Sequence, residues 1–276
     1  MSKITFIPVG GLANRMRAIA SAFDLCKKTN GSLNVVWIKD WALNSPFYEL
    51  FEPINDDVIS LRDASTIDKL LLDRPRKKNF YLPRIYQKLI FDSSLYELSI
   101  TPLCRKGFDF VKWAKGNKEL YLASYTNFMN YDISIISKLF RPLPEIKKMI
   151  DTYTSQFTDD TIGLHIRRTD NLDSIINSPI ELFYNKIDKE IDANNAVNFF
   201  LATDCEDVKK EMQKRYGSRI ICSKEVADRD SIEGIKGAVA EMYVLSSTQK
   251  IYGSFQSSYS DMASQISGIP LEILKL

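Results

Sequence analysis

Apolar residues recur along this chain at two spacings, and each change of spacing marks an element. Residues 4–9 are a short β-branched and aromatic run ending in Gly10-Gly11. From Asn14 onward Met16, Ile19, Phe23 and Cys26 follow at intervals of three and four, the period of a helix with one buried face. Asn30-Gly31 closes that helix, and Leu33-Asn34-Val35-Val36-Trp37-Ile38 supplies a second strand. Residues 4–38 therefore predict a β-α-β unit, from which parallel sheets with crossover helices are built.

Between residues 40 and 118 the pattern dissolves. Pro46, Pro53, Pro75, Pro83 and Pro102 and many aromatics recur with no sustained period, which predicts loops and short helices. Leu120-Tyr121-Leu122-Ala123 predicts a strand, followed by a helix near 133–139. Arg141-Pro142-Leu143-Pro144 then interrupts the chain before a helix over 145–157. Beyond it strands (161–167, 197–203, 219–222, 250–252) alternate with helices (180–191, 205–216, 231–247, 257–267), the signature of a parallel sheet covered on both faces. The sequence has no internal repeat and no low-complexity segment. The expected fold class is α/β, with two Rossmann-like domains facing a cleft, residues 1–155 and 156–276.

Composition narrows the function classes. A chain of 276 residues accommodates two domains of ordinary size. A hydrophobic share of 45% with 26% charged residues is that of a soluble globular protein, and a net charge of +2 gives no overall field to draw in nucleic acid. Cys26, Cys104, Cys205 and Cys222 lie far apart without a Cys-x-x-Cys pair, reading as neither zinc cluster nor disulfide framework. The apolar run in residues 1–8 is too short for a signal peptide, and no later run approaches the roughly 18 apolar residues of a membrane span. These features predict a cytoplasmic protein.

The chemistry concentrates around the one histidine of the chain, in Gly163-Leu164-His165-Ile166-Arg167-Arg168-Thr169-Asp170. A single imidazole excludes mechanisms that need two, and a histidine beside two guanidinium groups suits phosphate. In an extended strand His165 and Arg167 share a face, while Leu164 and Ile166 point into packing. Arg167, Arg168 and Asp170 fall where the strand gives way to loop, the place where open α/β sheets bind ligands. Asp170 could orient an arginine, and the same residues also fit a structural ion-pair network. Ser254-Phe255-Gln256-Ser257-Ser258-Tyr259-Ser260 opens the last predicted helix, where free N–H groups and hydroxyls suit a phosphate or merely cap the helix.

Gly10-Gly11-Leu12-Ala13-Asn14-Arg15 is a second strand-to-helix turn of this kind, without the full Gly-x-Gly-x-x-Gly of a dinucleotide fold. Glu241 lies on a helical stripe of small and apolar residues. Its carboxylate there borders a cleft, meets a donor pair such as the N1–H and N2–H2 edge of guanine, or pairs with a nearby lysine. Asp228-Arg229-Asp230 matches an Asp-x-Asp metal pattern but is better read as a helix start. Arg74, Arg76, Lys77, Lys78, Arg84 and Lys88, interleaved with Tyr81 and Tyr86, read as a solvated basic face or a surface for an anionic acceptor.

Gly10-Gly11-Leu12-Ala13-Asn14-Arg15, His165-Ile166-Arg167-Arg168-Thr169-Asp170, Leu201-Ala202-Thr203-Asp204 and Gly253-Ser254-Phe255-Gln256-Ser257-Ser258, in that order, resemble the motifs of the fucosyltransferase superfamily of α1,2-, α1,6- and protein O-fucosyltransferases. The resemblance implies a GT-B fold with an N-terminal acceptor-side domain and a C-terminal GDP-sugar-binding domain. It implies inverting transfer of fucose, or a related sugar, from GDP-fucose to a glycan acceptor, with no metal and no cofactor. Arg167, Asp170 and Asn14 would then be catalytic. Gly11, Asn14, His165, Arg167, Arg168, Asp204, Glu241, Ser254, Ser257 and Ser258 would bind the GDP-sugar, Arg167 at the β-phosphate and His165 with Glu241 at the guanosine part. Asp170 and Asp173 are the carboxylates nearest in sequence to serve as general base, and neither identifies itself as one. Ala13, Gln256 and Cys205 depart from the family pattern. The reading from another class is a non-catalytic nucleotide- or anion-binding regulator on the same fold.

Overall fold

The computed structural model describes residues 1–169, 171–223, 228 and 230–276. The chain divides into two compact units, Met1–Arg141 and Pro142–Leu276. Each is built on a five-stranded, wholly parallel sheet. This is the expected α/β class with two Rossmann-like sheets.

The first unit runs β1 (Lys3–Pro8), α1 (Leu12–Thr29), β2 (Ser32–Trp37), β3 (Ile59–Asp63), α2 (Thr66–Leu71), α3 (Leu82–Ile90), β4 (Ser93–Leu95), α4 (Glu97–Arg105), α5 (Phe110–Lys115), β5 (Glu119–Ser124) and α6 (Ser134–Leu139). The β-α-β unit foreseen at the N-terminus is present, and Asn30 ends α1 in the left-handed conformation that asparagine tolerates. The sheet order is β3-β2-β1-β5-β4. The chain steps outward from β1 to β3 and then crosses to the opposite side, so the crossing direction reverses between β1 and β5. Residues 40–118 hold the expected short helices and two further strands. β3 is an edge strand with Ile59 and Leu61 buried between exposed Ser60 and Arg62, and Leu95 is the one apolar residue of β4.

Helix α1 buries a cation. Arg15 is fully buried: Nε donates to the Gly10 carbonyl at 2.7 Å, one terminal nitrogen to the Ile38 carbonyl at 2.7 Å, and the other to Asp40 at 3.0 Å. Its guanidinium also lies 4.7 Å from the centre of the Trp37 ring. These contacts fasten the ends of β1 and β2 to the first turn of α1. Burial brings its pKa down to about 10 against the opposing pull of Asp40, so it remains a cation at neutral pH.

The second unit runs α7 (Pro144–Thr154), β6 (Ile162–Ile166), α8 (Leu172–Asn177), α9 (Ile180–Ala193), β7 (Phe199–Thr203), α10 (Glu206–Tyr216), β8 (Ile220–Cys222), α11 (Ile232–Ser246), β9 (Ile251–Ser254), α12 (Ser258–Ser267) and β10 (Leu271–Leu274). Its sheet order is β10-β9-β6-β7-β8. All five residues of β6 are buried. Leu164 and Ile166 pack with Phe183, Ile187 and Met212 of α9 and α10. On the α11 side, a Cβ at Gly163 would come within 2.8 Å of the Thr248 hydroxyl oxygen and 3.0 Å of Leu245. Gly253 does the same for α12, where a Cβ would approach Ser260 Oγ to 2.7 Å. Helix α7, foreseen ahead of a division near residue 155, packs on α11 and buries Ile146 in the second unit. α8 and β10 were not foreseen; Leu172 and Ile176 of α8 are exposed and carry no inward period. Among the described residues no helix is long and apolar enough to cross a membrane.

Replacing Arg15 by Met should lower stability by about 3 kcal/mol, because two backbone carbonyls and part of Asp40 lose a buried donor. Urea denaturation reads this directly, and an unchanged midpoint would show that the clamp carries no load.

Candidate functional site

From β6 the second unit proceeds to β7 and β8 on one side and returns to β9 and β10 on the other, so β6 and β9 bracket a topological switch point. The loops beyond the carboxyl ends of two such strands diverge and leave a crevice for ligands. His165 pairs in register with Gly253 of β9 and Ala202 of β7. The segment Arg167–Thr169, the start of α12 and Asp204 at the end of β7 therefore meet at one edge of the sheet.

His165 is buried, with its ring stacked on Tyr259 at a centroid distance of 4.8 Å and an interplanar angle of 26°. Its Nδ1 lies 3.3 Å from Ser257 Oγ. Burial lowers its pKa to about 4; Asp204 pulls the other way, and Arg167 adds to the lowering. The imidazole is therefore neutral at physiological pH and weakly basic, which suits hydrogen bonding better than proton abstraction.

Arg167 and Arg168 directly follow β6. Arg167 is half-buried, and its backbone N–H donates to Ser254 Oγ at 3.1 Å, while that hydroxyl donates to the His165 carbonyl at 3.3 Å. Ser254, fully buried, thus ties the ends of β6 and β9 together. Arg168 turns to the scaffold, one terminal nitrogen donating to the Ser178 carbonyl at 2.6 Å. Asp204 accepts from the Arg168 backbone at 2.7 Å and from the Thr169 hydroxyl at 2.6 Å, holding the loop after β6 against the end of β7. Both residues shape the loop that carries Arg167.

Ser257 is the N-cap residue of α12, yet its side chain makes no capping bond to the helix. Its hydroxyl is committed to His165, so no side chain of this cap satisfies the first amides of a ten-residue helix. Gln256, immediately before it, has φ of 51°, a left-handed turn that only a minority of non-glycine residues adopt. Ser258 is half-buried at the first helical position. Glu241 on α11 receives a hydrogen bond from Ser223 Oγ just beyond β8. The Tyr259 hydroxyl donates to the Ala238 carbonyl at 2.5 Å, which joins α12 to α11 beneath the stacked imidazole.

In the first unit the other switch point carries Gly10, Gly11 and Asn14. Gly10 has φ of 85°, and a Cβ there would lie 3.1 Å from Asn14 Nδ2. Among the described residues Asn14 Oδ1 is buried without a hydrogen-bond partner, an unmet acceptor of the kind that a ligand hydroxyl or a water satisfies.

Asp170 and Arg229 lie outside the described residues. Asp228 accepts from the Asp230 backbone at 2.8 Å, and of the two candidates for the start of α11, Asp230 and Ser231, it is Ser231 that caps it, accepting from Gly234 N at 3.1 Å. Among the described residues no group of three or more His, Cys, Asp or Glu side chains is placed to hold a metal ion. Sequence reasoning assigned no role to Tyr259, Ser178, Ser223 or Thr169, although Thr169 and Tyr259 stand inside the runs around His165 and Ser257.

No protein-family profile matches the chain, and no curated protein resembles it in sequence. Solved structures share its fold. NodZ α1,6-fucosyltransferase soaked with GDP-fucose is 17% identical, with 96% of this chain and 93% of that one covered and a TM-score of 0.67; NodZ comes from Bradyrhizobium. A point mutant of Arabidopsis thaliana FUT1 in complex with GDP is 15% identical over 99% of this chain and 70% of that one, at 0.64. POFUT1 in complex with GDP is 13% identical over 100% and 98%, at 0.59. At these identities the likeness establishes a common fold.

The depressed pKa of His165 has a stability consequence. The unfolded chain binds the proton near pH 6.5 and the folded protein only near 4, so the contribution is complete above about pH 6.5 and is lost as pH falls toward 4. Between pH 7 and about pH 4.5 the wild type should lose about 2.5 kcal/mol more than His165→Gln. Urea titrations at the two pH values measure it, and parallel losses would place the ring in water.

Proposed function

We propose that the protein is a glycosyltransferase that moves fucose, or a related sugar, from GDP-fucose to a glycan acceptor, with inversion and without a metal ion. The observation that carries this reading is the grouping at the β6–β9 switch point. There Arg167 leaves the end of β6 beside an α12 start that lacks a side-chain cap, and a neutral histidine is fixed by Ser257. The shared fold with chains solved with GDP or GDP-fucose supports it.

In this reading the acceptor hydroxyl oxygen attacks the anomeric carbon, the bond from that carbon to the phosphate oxygen breaks, and its electron pair leaves with GDP. The acceptor proton passes to a base; Asp170 and Asp173 are the carboxylates nearest in sequence, and neither is assigned that role. Negative charge grows on the β-phosphate. The Arg167 guanidinium and the first amides of α12 each stabilise it by about 3 kcal/mol, the part a metal plays in other transferases. With Nδ1 accepting from Ser257, His165 keeps Nε2–H to donate to the nucleotide. Glu241 accepts from the guanine edge, while Arg168 and Asp204 act as positioning residues through the loop that carries Arg167. The second unit is assigned the donor and the first the acceptor. The setting proposed is reducing and cytoplasmic, which the wide spacing of the four cysteines in the sequence suits.

Calorimetry should detect GDP binding in the presence of EDTA, weakened at least about tenfold by Arg167→Ala. His165→Gln should weaken the donor more than it slows turnover at saturation. Slow release of free fucose from GDP-fucose would mark the enzyme. Absence of GDP binding would overturn the reading, and binding without hydrolysis or transfer would favour a regulator on the same fold.

A further inference from the structure

Helix α3 is inverted relative to an ordinary surface helix. Its buried positions are Pro83 and Gln87, four apart, while Leu82, Ile85 and Leu89, at intervals of three and four, all face solvent. Ile85 is 65% exposed and Leu89 79%. Helix α2 packs against α3 and adds exposed Ile67 and Leu70. Phe80, 82% exposed, and Tyr81 precede α3 with φ of 51° and 56°. Two consecutive bulky residues in the left-handed region are uncommon, and the turn presents both rings outward.

A stripe of this kind costs solubility unless something covers it. The charges around it say what. Between Asp73 and Asp92 the chain contains six basic residues and no acidic one. Arg74 is committed to Asp40 and Glu97, and Arg76 to Asp73. Lys77, Lys78, Arg84 and Lys88 hold no ion pair with a described acidic residue, and Arg84 and Lys88, four apart, form the helix face beside the apolar one. A net charge of +2 makes this a local feature, not a reflection of a basic protein.

We infer that the α2–α3 face docks on an anionic lipid surface, with Ile67, Leu70, Phe80, Leu82, Ile85 and Leu89 entering the headgroup–acyl boundary and Lys77, Lys78, Arg84 and Lys88 meeting the lipid phosphates. Apolar residues on one helix face and cations on the next form the pattern of an interfacial amphipathic helix. Aliphatic side chains gain by entering acyl chains, whereas nucleic acid offers bases that reward aromatic stacking and leaves Ile67, Leu70, Ile85 and Leu89 unused. The surface lies wholly in the first unit and is independent of the donor assignment above.

The full-length protein should co-sediment with vesicles containing about 30 mol % phosphatidylglycerol in phosphatidylcholine and only weakly with phosphatidylcholine alone, and salt should reduce the binding. Ile85→Glu with Leu89→Glu, both at exposed positions, should cut the partition coefficient at least about tenfold while GDP binding is unchanged. Arg84→Gln with Lys88→Gln, which leaves the apolar stripe intact, should cut it at least about fivefold on the anionic vesicles. Failure of the wild type to sediment with anionic vesicles would overturn the inference. So would a concentration-dependent dimer in analytical ultracentrifugation that Ile85→Glu with Leu89→Glu disperses, since a second copy would then be the occupant. Tight binding of single-stranded oligonucleotide without vesicle binding would overturn it equally.

Discussion

The constraint on which the second unit depends is the reversal of chain direction across its sheet at β6. Because β7 and β8 lie on one side of β6 and β9 and β10 on the other, the loops leaving β6 and β9 must diverge, and whatever they carry is presented at a gap. Packing then sets how near the two loops come. Gly253 leaves room for the Ser260 side chain of α12 to rest directly on the β9 backbone, and Ser254 bonds to the backbone on both sides of Ile166. The position of Arg167 is thus a consequence of strand order and of one missing Cβ.

Charge is organised differently in the two units. In the first, Arg15 is spent wholly on the protein, holding two backbone carbonyls and Asp40 at the start of α1. In the second, Arg168 and Asp204 are spent in the same way, holding the segment after β6 against Ser178 and the end of β7.

Much of this was legible in the sequence because parallel sheets covered on both faces give continuous apolar strands and strongly periodic helices. The β-α-β opening and nearly every element of the second unit follow from spacing alone. β3, β4, α8 and β10 do not, for physical reasons: edge strands and short surface helices bury too few side chains to impose a period. The candidate site was legible in part. His165, Arg167 and the serines before α12 announced themselves as polar residues at strand ends, and the stacking of Tyr259 on His165 joins residues far apart in sequence, which no local pattern encodes. The stretch around residues 74–90 shows the converse case, since its charges were plain while the outward direction of Leu82, Ile85 and Leu89 depended on Gln87 taking the inner face.

The hydroxyl that would ordinarily close the start of α12 is turned to an imidazole instead. In the reading proposed above, a helix begun in this way is completed by a phosphate of the donor. Its first turn holds least firmly when no anion is present, and an anion that settles there tightens the amides locally, so occupancy is written into hydrogen-exchange rates at Ser258, Tyr259 and Ser260. Ligand and helix start are then a single thermodynamic unit, and the order of that turn becomes a gauge of the ligand's presence.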